Sequence, residues 1–149
     1  MSYISKYISY AEATKTNTGL PNVPTDEHIS NMQLVGQKVF DRVREEFNRP
    51  LGITSFYRSQ AVNKAIGGAA TSQHTTGNAI DINANVYGGV TNKQIFDFIK
   101  DNLDFDQLIA EFGTNDNPAW VHVSYSHSNR RQVLVAVKDG GNTQYIPYR

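Results

Sequence analysis

Three residues in this chain have the types and spacing to hold a metal ion. His74 lies in Ser72-Gln73-His74-Thr75-Thr76-Gly77-Asn78-Ala79-Ile80-Asp81, and His122 lies in Trp120-Val121-His122-Val123-Ser124. His74 ends a run of small polar residues, Gly77 lets the backbone turn, and Asp81 sits on the strand that follows. Loop and strand can therefore aim an imidazole and a carboxylate at one point. A catalytic zinc site usually takes three protein ligands and keeps one position for water, so two ligands are one short. His122 is the third candidate, because it alternates with Val121 and Val123 along a strand and faces the other way from them. A histidine in mid-strand among β-branched residues needs a partner, and a metal is one. Two imidazoles and a carboxylate form a hard-to-borderline donor set suited to zinc. Taken singly, each residue has an ordinary reading: His122 as a hydrogen-bonded core or edge histidine, Asp81 as a cap or turn former.

Composition narrows the chemistry further. The chain has 149 residues, no cysteine, four histidines, and 14 basic against 14 acidic side chains. Without cysteine there is no disulfide framework, thiolate cluster or cysteine nucleophile, so any metal must be held by histidine and carboxylate. Zero net charge gives no long-range field to attract nucleic acid or an anionic surface, so neither a nucleic-acid partner nor membrane insertion is expected. Nowhere do about 18 apolar residues follow one another, and residues 1–10 contain no signal-peptide core. Synthesis in the cytoplasm is the expectation, as is a monomer. The length is that of one domain over 1–149, with 1–25 as an N-terminal arm.

The elements that must position these residues are legible as patterns. Ser9-Tyr10-Ala11-Glu12 has capping-box spacing and predicts a short helix. Ile29, Met32, Val35, Val39, Val43 and Phe47 recur at three- and four-residue steps and predict one long helix over roughly 26–48, ended by Pro50-Leu51-Gly52. A strand over 51–57, a small helix over 60–66 and a strand over 78–83 follow. Thr91 caps a helix of about 92–102 with Ile95, Phe98, Ile99 and Leu103 on its buried side. Strands are predicted at 107–112 and 120–125, then a hairpin with Val133, Val135 and Val137 before the turn Asp139-Gly140-Gly141-Asn142. The sum is an α+β domain with an antiparallel sheet and helices gathered on one side.

Ser-x-His, three residues, Gly-x-Ala, one residue, Asp, and some 40 residues later Trp-Val-His resembles the zinc D-alanyl-D-alanine carboxypeptidase family. That family includes the L-alanyl-D-glutamate peptidases of phage endolysins and shares a fold with the hedgehog signalling domain. The resemblance runs from about Gly52 to Tyr125 and places the family's ligand pattern on His74, Asp81 and His122. It implies one Zn²⁺, a hedgehog/DD-peptidase-like fold and a peptidoglycan stem peptide as substrate, cut at D-Ala-D-Ala, at a cross-link or at L-Ala-D-Glu. With no export signal, it also implies a phage lysis enzyme or a virion-borne one acting on the bacterial cell wall.

Such a hydrolase needs a general base beside the metal. Many family members have a glutamate three residues before the second histidine, where this chain has Ala119. Of the five glutamates, Glu12, Glu27, Glu45 and Glu46 fall in the arm or on the polar face of the long helix. Glu111 stands in an otherwise apolar strand just upstream of the His122 strand, and a hedgehog-type domain is similar there: Phe-Asp, four residues, Glu. Glu111 is thus the candidate base, with 113–118 as a loop insertion; Asp116 is the alternative, and a strand-edge ion pair is the ordinary reading of Glu111. Phe56-Tyr57-Arg58-Ser59 resembles the family's Tyr-Arg-Ser segment, whose arginine binds a substrate carbonyl or carboxylate; a surface arginine is its ordinary reading. Ser72 and Gln73 are expected to shape the pocket and bind substrate. His28 and His127 are read as non-ligands. Two other classes stay open: a non-catalytic zinc-stabilised module, motivated by Ala119, and a glycan hydrolase with Asp81 and Glu111 as its carboxylate pair.

Overall fold

A computed structural model describes residues 2–114 and 116–149; Asn115, within the expected 113–118 insertion, lies outside the described residues. In chain order the elements are β1 (Tyr3–Ser5), β2 (Ile8–Ser9), α1 (Tyr10–Ala13), α2 (Asp26–Val35), α3 (Asp41–Phe47), β3 (Gly52–Ser55), α4 (Gln60–Ala65), β4 (Ala79–Asn83), α5 (Asn92–Asn102), β5 (Gln107–Glu111), β6 (Trp120–Ser124), β7 (Gln132–Asp139) and β8 (Asn142–Pro147). The mixed α and β composition expected from the patterns is present, and most boundaries fall within two residues of those predicted.

Among the described residues, β3 to β8 form a six-stranded sheet in the order β3-β4-β6-β5-β7-β8. The expectation of an antiparallel sheet needs one correction: β5 and β7 pair in parallel, Gln107 with Gln132 through Glu111 with Ala136. The reason is that β7 enters on the far side of β5 from β6, so the chain only has to turn round the start of β5. The loop over 125–131 joins β6 to β7, which run in opposite directions on either side of β5, so no long crossover is needed. That turn winds round Asp106, whose carboxylate accepts bonds from the Arg130 backbone N–H at 3.0 Å and from Arg130 Nε and Nη2 at 2.9 Å each.

Alternation sorts the sheet into two faces. Ile80, Ile82, Leu108, Val121 and Val123 are buried in one core cluster with Met32, Val35, Val39 and Val43 of the long helical run and Ile95, Phe96 and Ile99 of α5. The opposite face carries Asp81, His122, Ile109 and Glu111. Helical packing on one face thus leaves the other free to form a cleft.

The predicted long helix is present as α2 and α3 joined by a π turn at Gly36–Phe40. Gly36 lies against β1, where a Cβ would meet Ser5 Oγ at 2.6 Å. The wider turn puts both Val39 and Phe40 into the core, which the three-and-four spacing alone did not show. Residues 3–13 are more than a polar arm. Ile4, Ile8 and Ala13 are in the core, and the buried Asp41 carboxylate accepts bonds from Ser5 Oγ, 2.9 Å, and the Lys6 and Tyr7 N–H groups. The Ser9–Glu12 capping box of α1 and the Thr91 cap of α5 form as the spacing predicts. Among the described residues no helix is long and apolar enough to cross a membrane.

Candidate metal centre and its cleft

Each of the three predicted ligands is placed by a local device. The loop before β4 tightens into a 3-10 turn over Gln73–Thr76, started by Ser72, whose Oγ accepts the His74 N–H at 3.2 Å. Gly77 closes it with φ 78°, a conformation open to glycine at little cost. A side chain would also collide there, since a Cβ would lie 2.6 Å from the His28 carbonyl oxygen. The turn buries His74 and feeds straight into β4. Asp81 of β4 stands directly opposite His122 of β6 in the antiparallel register, so the ladder itself brings them together.

The donor atoms converge. His74 Nδ1 lies 2.7 Å from the Phe56 carbonyl oxygen. A carbonyl only accepts, so this nitrogen carries the proton, and in the neutral imidazole Nε2 keeps the lone pair that a metal would need. His74 Nε2 is 3.3 Å and His122 Nδ1 3.0 Å from Asp81 Oδ1, and the three donor atoms all fall within 4.8 Å of one another. Ligand atoms held about 2.0–2.1 Å from a tetrahedral zinc ion sit roughly 3.3 Å apart, so the 3.3 and 3.0 Å separations from Asp81 suit that ion. The donor chemistry and the carbonyl behind His74 both fit a metal. His28 and His127 are outside this group, as expected; His28 instead takes part in the Thr25 capping box of α2.

Charge around the group is balanced. Burial alone would raise the Asp81 pKa, but the His74 and His122 imidazoles outweigh it and hold the carboxyl well below the usual carboxylate range. Arg58 Nη2 lies 3.5 Å from Asp81 Oδ2, with Nε donating to Ser55 Oγ at 3.0 Å and Nη1 to Asn63 Oδ1 at 3.3 Å. The guanidinium is therefore fixed in position beside the metal group. Glu111, 7% exposed, sits on β5 two residues along from Ile109, which pairs with His122. Its carboxylate has no hydrogen-bond partner among the described residues. Burial pushes its pKa up to about 7, against the pull of His122 and Arg58.

Arg58, Ser72, Gln73, His74, Asp81, Glu111 and His122 all line one cleft of about 690 Å³. Every sequence-predicted site residue is thus brought together, although Gln73 and Ser72 are also structural: Gln73 Nε2 donates to Asp106 at 3.0 Å. Asp116 is exposed and outside the cleft lining. Ala119 is half-buried, and its N–H donates to the Glu111 carbonyl at 2.8 Å, so position 119, just before β6, lies alongside Glu111. Sequence reasoning missed Ser55 and Asn63, which fix Arg58, and Lys138, Thr143 and Tyr145, which form the far wall of the cleft. The Asn63 signal was hidden in a short helix; that of the hairpin depended on the β5–β7 pairing.

No individual curated protein matches this chain. A family model described as Peptidase M15 matches residues 6–124, a span that takes in Arg58, the turn that carries His74, Glu111 and His122, and stops before the β7–β8 hairpin. That match covers most of the chain and agrees with the His-Asp-His group found independently in the cleft, and the chain therefore belongs to the M15 peptidases, a family of zinc hydrolases.

Proposed function

We propose that this chain is a zinc peptidase of one domain that hydrolyses amide bonds in peptidoglycan stem peptides, on the hedgehog/DD-peptidase-like fold. The observation that carries the reading is the convergence of His74 Nε2, Asp81 Oδ1 and His122 Nδ1 at the floor of a cleft that also holds an unpartnered, protonatable Glu111. One zinc ion bound there would lower the pKa of a water toward ~7 and polarise the scissile carbonyl.

The chain's own groups do the rest. Glu111 accepts the water proton and passes it to the leaving amine; burial that raises its pKa toward neutrality suits a group that must both take and return a proton. Arg58, held by Ser55, Asn63 and Asp81, presents permanent positive charge to a substrate carbonyl or carboxylate and to negative charge that develops during attack. Ser72 and Gln73 fix the turn that carries His74 and border the bound peptide. Trp120, edge-to-face with Phe112 at 5.4 Å between ring centres, forms part of the wall. Glu111 is preferred to Asp116 as the base because only Glu111 lines the cleft.

A carboxylate-pair glycosidase is disfavoured, since Asp81 is engaged by two imidazoles and a guanidinium. A phage lysis or virion role acting on the cell wall is consistent with the family resemblance. The alternative of a non-catalytic zinc module is separated by replacing Glu111→Gln: the enzyme reading predicts a rate loss of about 10²–10⁴ on a stem-peptide substrate with bound zinc retained. A wild-type protein that binds zinc and leaves stem peptides intact would favour the module.

A further inference from the structure

Besides its imidazoles, the cleft is lined by three basic side chains, Arg58, Arg130 and Lys138, and two of them already face a carboxylate. Arg58 lies 3.5 Å from Asp81, and Arg130 grips Asp106 through Nε and Nη2. Lys138 of β7 meets no carboxylate among the described residues. Its ammonium donates to Thr143 Oγ1 at 3.3 Å and lies 4.9 Å from the centre of the Phe112 ring. An ammonium has three donors, so two remain open.

Local structure explains this placement. Glu111 pairs with Ala136 across β5 and β7, so Ala136 and, two residues on, Lys138 project from the same face of the sheet as Glu111. β5 ends at that point. Phe112 donates its N–H to the Ala136 carbonyl at 2.9 Å and turns out of the ladder with φ 55°, a left-handed conformation rare for an aromatic residue. Strain of this kind persists where the surrounding structure enforces it, and here the Phe112 ring is in contact with Trp120 on one side and the Lys138 ammonium on the other. β7 runs on past the turn to Asp139, and Thr143, the partner of Lys138 on β8, supplies the hydroxyl. The charge is felt at the base: burial raises the Glu111 pKa, and Lys138 is among the cations, with His122 and Arg58, that pull against it.

We propose that Lys138 is a specificity residue of the cleft, whose ammonium takes a carboxylate carried by the substrate residue that is released as the amine. Glu111 returns its proton to that amine. Lys138 stands on the Glu111 side of the metal group, whereas Arg58 stands beside Asp81 on the other, so the leaving residue is the one that falls to Lys138. A cation held by a ring face and a hydroxyl gives up no ion pair when it binds an anion, and the hydrogen bond it then makes is charge-assisted. The carboxylate belongs to the C-terminus of the substrate or to an internal acidic residue, and the same chemistry serves both. This inference rests on the peptidase reading above and adds the group that the enzyme reads on the leaving side. Lys138 lies beyond residues 6–124, so membership of the family assigns it no role.

The test uses the full, zinc-loaded protein and two pairs of stem-type peptides. In one pair the residue after the cut is C-terminal, as the free acid or the amide; in the other it is internal, with its own carboxylate free or amidated. Products are followed by mass spectrometry. The wild type should prefer acid over amide in at least one pair by about tenfold in kcat/KM, the size of one charge-assisted hydrogen bond near the surface. Preference in the first pair identifies a terminal carboxylate and preference in the second an internal one. Lys138→Gln should bring that ratio to within about twofold of one at unchanged zinc content, Lys138→Arg should keep it above about threefold, and Lys138→Glu should invert it. A wild type with no preference in either pair, or a Lys138→Gln variant that loses rate equally on acid and amide, would overturn the inference and leave the peptidase reading intact. Cleavage of no peptide by the zinc-loaded wild type would overturn both.

Discussion

Replacing Glu111→Gln should make the metal-free protein more stable while lowering the activity of the zinc-loaded one, and the size of the stability gain should depend on pH. Burial moves this carboxyl from its ordinary 4.5 to about 7. At about 1.4 kcal/mol per pH unit, the ionised carboxylate therefore costs the folded state up to roughly 3 kcal/mol. The sign follows from proton counts. Between about 4.5 and 7 the folded protein keeps a proton that the unfolded chain has released, so stability falls as pH rises through that window and is flat above it. Glutamine carries no proton and has no such fall. Urea unfolding in the presence of a chelator, from pH 4 to 8, should show the two proteins nearly equal at pH 4. By pH 8 the variant should lead by on the order of 2–3 kcal/mol. A difference that stays constant with pH, or a wild type that is the more stable at pH 8, would refute the burial argument and with it the raised pKa that suits Glu111 to take and return a proton.

Four further outcomes are expected. Asp81→Ala should abolish zinc retention and, by leaving Arg58 and two imidazoles without their shared anion, destabilise the metal-free protein by about 3–5 kcal/mol, read by metal analysis and denaturant unfolding. Gly77→Ala, at φ 78° and against the His28 carbonyl, should lower stability by at least about 1 kcal/mol and weaken zinc binding; an unchanged melting temperature would contradict the tight turn. Arg58→Lys keeps the charge but loses the fork that reaches Ser55, Asn63 and Asp81, so kcat/KM should drop about 10–100-fold at constant zinc content. Asp106, drawn down to about 2 chiefly by its hydrogen bonds to Arg130, adds stability above its ordinary 3.8 that is lost on acidification. Asp106→Asn should erase that acid-side loss, about 1 kcal/mol after allowance for the exposed Arg130.

How far the sequence reaches depends on the kind of information each element carries. α5 was readable because its cap at Thr91 and its apolar face are both local. The metal group was readable because its two halves sit on short-range devices, a glycine-closed turn and an alternating strand, and because a cysteine-free chain leaves few other ligands. What escaped was non-local. The parallel placement of β7 beside β5 depends on the loop around Asp106, and nothing within β7 signals it. Lys138, Thr143 and Tyr145 reach the cleft only through that pairing, and so the extent of the groove could not be seen. The π turn at Gly36–Phe40 arises from contact with Ser5, more than 30 residues earlier. The docking of residues 3–13 is likewise set by Asp41 from a distant helix.

The most direct test of the central claim is mass spectrometry of a defined muropeptide incubated with the purified protein, first stripped by a chelator and then restored with one equivalent of zinc. A zinc peptidase at His74, Asp81 and His122 predicts amide cleavage products only after zinc is restored, with no change to the glycan. Intact stem peptides in the zinc-loaded sample, or cleavage that persists in the stripped one, would contradict it.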